Sequence, residues 1–208
     1  MTINTNVLKR FIIYMAILTF VMFTIWGFVR SFMDRPPGDY ETEVCDIRLK
    51  DKKYEQALES ADIALSKSPN HRGAMMCKAL VFISEKKYIK ADQVLSDLIV
   101  FLEKTLEADD KTGIGTLAAA YANRGIIKDR NKKYEEALKD YVRALGIDHE
   151  AVAGPGLGTV ILNYKFKSSS VRERALYLNE QLQLPETERV LSIKELDEGQ
   201  VMHKPGKL

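Results

Sequence analysis

The histidines and the paired carboxylates of this sequence are the side chains from which a catalytic or metal site could be built. His71, His149 and His203 each stand alone, with no cysteine or carboxylate at metal-ligand spacing. The pair Asp109-Asp110 lacks the alternating oxygen ligands of a calcium-binding loop. We therefore predict that the histidines lie in turns or on the surface and that the carboxylates lie in a solvated loop. No metal site and no cofactor site is predicted.

The glycine run at 154–158 resembles a phosphate-binding loop only in part of its spacing. A dinucleotide-binding loop follows a strand and needs a third glycine at a fixed distance, and a triphosphate-binding loop needs Gly-Lys-Ser or Gly-Lys-Thr. This run follows a predicted helix and has none of these features. No serine or cysteine stands in a nucleophile motif. The sequence thus predicts no catalytic residue, and we predict that the chain is not an enzyme.

Two cysteines, Cys45 and Cys77, are too few for a disulfide framework. Each lies in a predicted helix among small apolar residues, where a free thiol packs as a small hydrophobic side chain. We predict two buried core thiols, with a disulfide bridge or a metal site as the alternatives.

The charge of the chain is nearly balanced, with 31 basic and 29 acidic side chains. Residues 1–30 hold three of the basic residues and no acidic one, which leaves 28 basic against 29 acidic side chains in the remainder. A domain that binds nucleic acid carries a clustered excess of positive charge. The composition therefore argues against a nucleic-acid partner, and the length of 208 residues fits one domain with an appendage.

The appendage is an uncharged apolar run of 19 residues from Phe11 to Val29. As a helix it spans about 28 Å, close to the thickness of a bilayer core, and Tyr14 and Trp26 suit the two interfaces. A cleaved signal peptide is the alternative, but it has a shorter apolar core and a small-x-small cleavage site, which is absent after Gly27. We predict a tail at 1–10, a single transmembrane helix at 11–30 and a proline-containing linker at 31–39.

The orientation of this helix is less strongly encoded. Lys9 and Arg10 flank one end and Arg30 and Arg35 flank the other, so the positive-inside rule is nearly balanced. A short tail followed by a long C-terminal domain is the layout of a signal anchor. We predict a single-pass protein of the bacterial inner membrane, with the tail in the cytoplasm and the C-terminal domain in the periplasm.

One short motif recurs three times, at 52–58, 86–91 and 132–138, each time as Lys-Lys-Tyr with an alanine three residues after the tyrosine. The first two tyrosines are 34 residues apart and the third follows after 46, which is one period plus a 12-residue insertion. A period of 34 is that of a solenoid built from helix–turn–helix units. The small alanine lets two helices approach closely beside the tyrosine ring.

These repeats resemble the tetratricopeptide repeat (TPR) family over residues 38–151, with a weaker extension to Leu184. The resemblance implies an all-α fold, in which the N-terminal single transmembrane helix is followed by an α-solenoid of three helix pairs and a degenerate C-terminal capping unit. We predict an acidic loop at 108–115 within the solenoid and, after the solenoid, a capping box at Ser170 and Glu173 that opens a helix ending near Leu184. We assign repeats at 38–71, 72–105 and 118–151 within the solenoid at 40–151, an insertion at 106–117, capping helices at 152–184 and a tail at 185–208.

The resemblance also implies a binding surface, because in this family one stripe of each first helix lines the inner face of the superhelix. Some members clamp the carboxylate end of a partner with Lys, Asn and Arg; here Asn123 matches, but Cys77 stands where another such residue would be needed. We therefore do not expect that clamp. The groove has two possible occupants, a partner or the chain's own fourth unit or tail. The predicted groove residues are Met76, Leu80, Ile83, Ala122, Asn123, Ile126 and Asp129, with Thr42, Asp46 and Leu49 in the first repeat.

By this resemblance the protein is expected to be a non-enzymatic adaptor. It would bind protein partners, contact the bilayer through residues 11–29, and bind neither nucleic acid nor a small-molecule substrate. Two hypotheses stay open. The protein is an accessory subunit or assembly factor of a membrane complex, or it is a chaperone-like module for translocated polypeptides, as in translocon or cytochrome c maturation proteins of similar layout.

Overall fold

The computed structural model describes residues 5–33, 35–150, 152, 170–193, 200 and 202–203. Among them the regular structure is helical and no strand occurs, which confirms the all-α prediction. The chain divides into two compact units, residues 1–37 and 38–208. The first unit contains one helix, α1, at Thr5–Met33. Its segment Thr5–Arg30 is long and apolar enough to cross a membrane.

The second unit is a series of helix pairs, each joined by a short turn. The first helix of each pair packs on its own second helix and on the first helix of the next pair. The pairs are α2 (Asp39–Lys50) with α3 (Tyr54–Lys67), α4 (Arg72–Ser84) with α5 (Tyr88–Thr105), and α6 (Lys111–Arg130) with α7 (Tyr134–Ile147). A further helix, α8 (Val171–Gln183), packs on α7, and a 3₁₀ turn follows at Glu186–Glu188.

The recurring Lys-Lys-Tyr motif is the turn inside each pair. Its first lysine has a left-handed backbone in all three repeats, with φ of 60°, 59° and 61° at Lys52, Lys86 and Lys132. The amide of the second lysine then donates to a carbonyl five residues back, as in the donation from Lys133 to Lys128 at 2.9 Å. This pattern ends the first helix, and the tyrosine begins the second. The 34-residue period seen in the sequence is therefore the period of this turn.

The motif produces a close contact between α6 and α7. Ala137 is fully buried, and Gly125 of α6 faces it. A Cβ atom added at Gly125 would lie 2.6 Å and 2.7 Å from Cε1 and Cδ1 of Tyr141 and 3.3 Å from the Ala137 carbonyl oxygen. Glycine is thus required at position 125 by the lack of space beside the tyrosine ring.

Replacing Gly125 with alanine is expected to lower the free energy of unfolding by about 1–3 kcal/mol, because the added methyl group must displace the Tyr141 ring. Gly146 is the matched control, since a Cβ there meets nothing within 4 Å. Gly146→Ala should leave stability unchanged or raise it by up to about 1 kcal/mol through helix propensity. Thermal unfolding followed by circular dichroism compares the two. Equal melting temperatures would show that α6 and α7 pack more loosely than described.

The insertion between α5 and α6 is mostly helical, so the predicted loop at 108–115 is wrong for its second half. Asp110 caps α6 by accepting a hydrogen bond from the Gly113 amide at 2.8 Å, and it also pairs with Arg72 of α4. A Cβ at Gly113 would overlap Leu106, Asp110 and Arg72. The glycine therefore serves close packing at a helix start and does not break the helix.

The two cysteines form a disulfide, so the prediction of free core thiols is also wrong. Cys45 on α2 and Cys77 on α4 are fully buried, and their Cα atoms lie 6.5 Å apart, a separation that a disulfide spans. The first helices of successive repeats pack against each other. Residues 32 positions apart, close to one repeat period, can therefore meet across that interface.

The capping box that opens α8 is confirmed. The Ser170 hydroxyl oxygen accepts from the Glu173 amide at 3.2 Å, and the Glu173 carboxylate accepts from the Ser170 amide at 2.9 Å. The helix ends at Gln183, shortly before Pro185. Residues 153–169 of the predicted capping unit, which include the glycine run at 154–158, lie outside the described residues.

Candidate binding groove

Seven of the predicted groove residues lie on α4 and α6. Each of the seven is buried, with exposed fractions from 0 to 5%. The corresponding residues of α2 are only half-buried, so this face is closed along the second and third repeats and partly open at the first. The buried set is Met76, Leu80, Ile83, Ala122, Asn123, Ile126 and Asp129, and the half-buried set is Thr42, Asp46 and Leu49.

Asn123 on α6 holds the backbone of a distant residue, His203. Its Nδ2 donates to the His203 carbonyl oxygen at 2.7 Å, and its Oδ1 accepts from the His203 amide at 2.8 Å. The same Nδ2 lies 3.6 Å from the sulfur of Met76. The side-chain amide thus satisfies both backbone groups of one residue, as a neighbouring β-strand would. Such a contact recognises an extended backbone regardless of its side chain.

Asp129, six residues further along α6, is paired with Arg174 of α8. The two carboxylate oxygens accept from Nε and Nη2 of Arg174 at 2.7 Å each, and the side chains are 3% and 1% exposed respectively. Nη2 also donates to the Leu191 carbonyl at 2.9 Å. This buried two-point ion pair fixes α8 and the segment that follows it to the third repeat.

Gln200 and Tyr141 complete the environment of Asp129. Nε2 of Gln200 donates to Asp129 at 2.7 Å and to the Tyr141 hydroxyl at 3.2 Å, and that hydroxyl donates to Asp129 at 3.1 Å. Burial, together with the negative charge of Asp129, raises the pKa of Tyr141 well above its usual range. Tyr141 therefore keeps its proton and remains a hydrogen-bond donor to the carboxylate.

His203 lies inside the fold, so its predicted surface position is wrong. The residue is 7% exposed, and burial lowers the pKa of its ring to about 4, which keeps the ring neutral at neutral pH. The adjacent Met202 packs against the main hydrophobic cluster. The other two histidines lie in turns as predicted: His71 caps α4 by accepting from the Ala74 amide at 3.2 Å, and His149 is exposed.

Four residues of this site were missed by the sequence analysis. Arg174 had a usable signal, because it stands on the same face of α8 as Val171, Ala175 and Leu178. A charged residue on an apolar stripe predicts a buried partner. The others, Tyr141, Gln200 and His203, had no such signal.

A cleft between α7 and α8 is a second concave surface, and it is apolar. Leu138, Val142 and Leu145 line one side, and Ala175 and Leu176 line the other. Val142 and Leu176 are each 58% exposed. Within the described residues this cleft is open to solvent, and its polar lining residues are Arg172 and Asn179.

Comparisons with known proteins agree with this architecture. Residues 118–150, the third predicted repeat, match the sequence model of the tetratricopeptide repeat family. A solved structure described as the first TPR of Spaghetti (RPAP3) bound to HSP90 peptide SRMEEVD is similar, with a TM-score of 0.51 and 17% identity over 73% of this chain and 97% of that one. No curated protein sequence matches the chain. The sequence of the third repeat and the fold of the helical unit therefore both support the tetratricopeptide repeat family.

Proposed function

We propose that this protein is a membrane-anchored TPR adaptor whose groove binds an extended segment of a protein partner. The observation that carries the proposal is that the Asn123 side chain pairs with both backbone groups of a single residue, His203. The similar TPR domain described above was solved with a peptide bound. TPR domains are generally interaction modules without catalytic activity, and a binding role accounts for the groove without any reactive group.

The anchor is α1, and the C-terminal domain lies across the membrane from the tail. The length and apolar composition of Thr5–Arg30 support the anchor. The buried Cys45–Cys77 disulfide supports the location of the domain, since disulfides persist in the periplasm and are rare in the cytosol. This argument is independent of the flanking basic residues, which are nearly balanced.

The properties of the groove favour binding of one dedicated partner. This is expected of an accessory subunit or assembly factor of a membrane complex. Asn123 contacts only the backbone of the bound residue, but Asp129 favours a hydrogen-bond donor three residues earlier in the bound segment. The buried position of His203 excludes a charged side chain there. A chaperone for many translocated clients would be expected to have fewer such requirements.

Photo-crosslinking in cells tests this function. A photoreactive residue at Asp46 or Leu49, on the half-buried end of the groove, should capture one dominant partner, identified by mass spectrometry. Leu80 and Ile126 are less suitable because they are 4% and 2% exposed. The same residue at Ile89, which is 86% exposed on α5, is the control and should capture little. Many weakly captured polypeptides would favour the chaperone hypothesis, and capture at Ile89 alone would place the binding surface elsewhere.

The same cells test the anchor. Extraction of membranes with alkaline carbonate should leave the protein in the pellet. Release into the supernatant, or a mature N-terminus beyond Arg30, would contradict membrane anchoring.

A further inference from the structure

Gln200 and His203 contact the groove residues of α6 as a bound ligand would. Their contacts with α6 are polar and specific: the backbone of His203 pairs twice with Asn123, and the amide of Gln200 donates to Asp129. The contacting residues are separated by 71 and 80 positions in the chain. No local helix or turn geometry imposes contacts between residues so far apart in the chain, so they resemble the contacts of a docked peptide.

The charges around Gln200 determine which side chains the groove accepts at that position. Asp129 is already neutralised by Arg174, and the third neighbour, the Tyr141 hydroxyl, is uncharged. A neutral donor such as the Gln200 amide fits this arrangement. A carboxylate in its place would meet Asp129 at hydrogen-bonding distance without a proton to share, and like charges so close in a buried site repel strongly. The position therefore selects against acidic residues.

We propose that Gln200 and His203 act as an intramolecular ligand that keeps the groove occupied until a partner segment displaces it. This inference rests on the proposed function and adds its regulation. It also specifies the partner as an extended polypeptide with a neutral hydrogen-bond donor three residues before an uncharged residue that presents both backbone groups. The chain's own segment competes with that partner for Asn123 and Asp129.

Tethering makes this competition strong. A ligand attached by a short chain experiences an effective concentration of about millimolar. If the free segment binds with a dissociation constant of about 10–100 µM, the tethered copy weakens any competitor by about 10- to 100-fold. Releasing the segment should raise the affinity for an added peptide by that factor.

The test uses the full-length protein in mild detergent and a fluorescent peptide of residues 195–208 as the probe. Gln200→Glu should release the tethered segment, so the variant should bind the wild-type peptide at least about tenfold more tightly than the unmodified protein. Gln183→Glu makes the same charge change at an exposed position at the end of α8. It should bind the peptide as weakly as the unmodified protein.

Two altered peptides show whether the released groove uses the described contacts. A peptide carrying His203→Pro has no amide hydrogen to donate to Asn123, so it should bind the Gln200→Glu protein much more weakly. A peptide carrying His203→Ala keeps both backbone groups and should bind more tightly than the proline peptide. Equal binding of these two peptides would show that the Asn123 contact does not hold the segment, and the proposal would fail.

The remaining outcomes also decide the question. Binding by the Gln200→Glu protein no tighter than by the unmodified protein, or loss of helix content in that variant, would show that the segment is a structural cap, not a displaceable ligand. The probe is this chain's own segment, so the result does not depend on any partner. If a photoreactive residue at Asp46 or Leu49 captures a partner but the peptide does not bind, this inference is wrong and the proposed function stands. If the peptide binds but photo-crosslinking captures no partner, the proposed function is wrong.

Discussion

Replacing Arg174 with methionine is expected to lower the free energy of unfolding of the helical unit by about 3–5 kcal/mol, because the Asp129 carboxylate then stays buried without a counter-charge. The two side chains are 1% and 3% exposed and share two hydrogen bonds of 2.7 Å. Tyr141 and Gln200 also donate to Asp129, but neutral donors offset only part of a buried charge. The loss should be the largest of any single substitution considered.

Arg124→Met is the matched control for this substitution. Arg124 also makes two hydrogen bonds to one carboxylate, that of Asp140, at 2.8 Å each. There, however, Lys128 lies 2.9 Å from the same carboxylate and would still balance its charge. Arg124→Met should therefore lower the free energy of unfolding by less than Arg174→Met does, by about 1–2 kcal/mol.

Urea unfolding of the full-length protein in mild detergent measures both variants. The double variant Arg174→Met with Asp129→Leu should recover much of the lost stability, because it removes the isolated charge along with the pair. If Arg174→Met and Arg124→Met cost the same, the Asp129–Arg174 pair is solvated in solution and does not anchor α8 as described.

Reducing the Cys45–Cys77 disulfide is expected to cost about 3–4 kcal/mol of stability, since the bridge closes a loop across 32 positions and restricts the unfolded chain. The bond joins the first helices of two repeats, so its loss should loosen the interface between α2 and α4. Both cysteines are fully buried, and reduction should therefore be slow under native conditions and faster after partial unfolding.

Melting temperatures with and without reductant check this expectation. A variant carrying Cys45→Ser and Cys77→Ser should melt at a reduced temperature that no longer responds to reductant. Thiol alkylation in intact cells adds a second result, because a bridge that is formed in cells places the domain in an oxidising compartment. Two alkylated thiols in unreduced protein would contradict both the bridge and that location.

The sequence by itself determined the repeat architecture, because its signals are local. The left-handed turn at Lys52, Lys86 and Lys132 repeats with the spacing of the motif, and the alanine after each tyrosine marks a close helix contact. The capping box at Ser170 and Glu173 is a similar short-range pattern that the structure confirms. Turn and cap preferences act within a few residues, so they can be recognised in one sequence.

Local signals misled where a distant neighbour decides the role of a residue. Gly113 reads as a loop residue in the sequence, but Leu106, Asp110 and Arg72, the last on a helix of the preceding repeat, leave no space for a side chain there. The choice between free thiols and a disulfide likewise depended on how closely α2 and α4 pack. The approach of Arg72 to Gly113 and the distance between Cys45 and Cys77 are not encoded in the residues next to them in the sequence.

The occupation of the groove was decided only by the tertiary structure. The stripe that includes Asn123 and Asp129 follows from the repeat register, and the sequence left its occupant open between a partner and the chain itself. The described tail residues Gln200 and His203 reach that stripe through hydrogen bonds to residues 71 and 80 positions away. An extended segment held by polar contacts has no helical period, so only the folded chain shows where it docks.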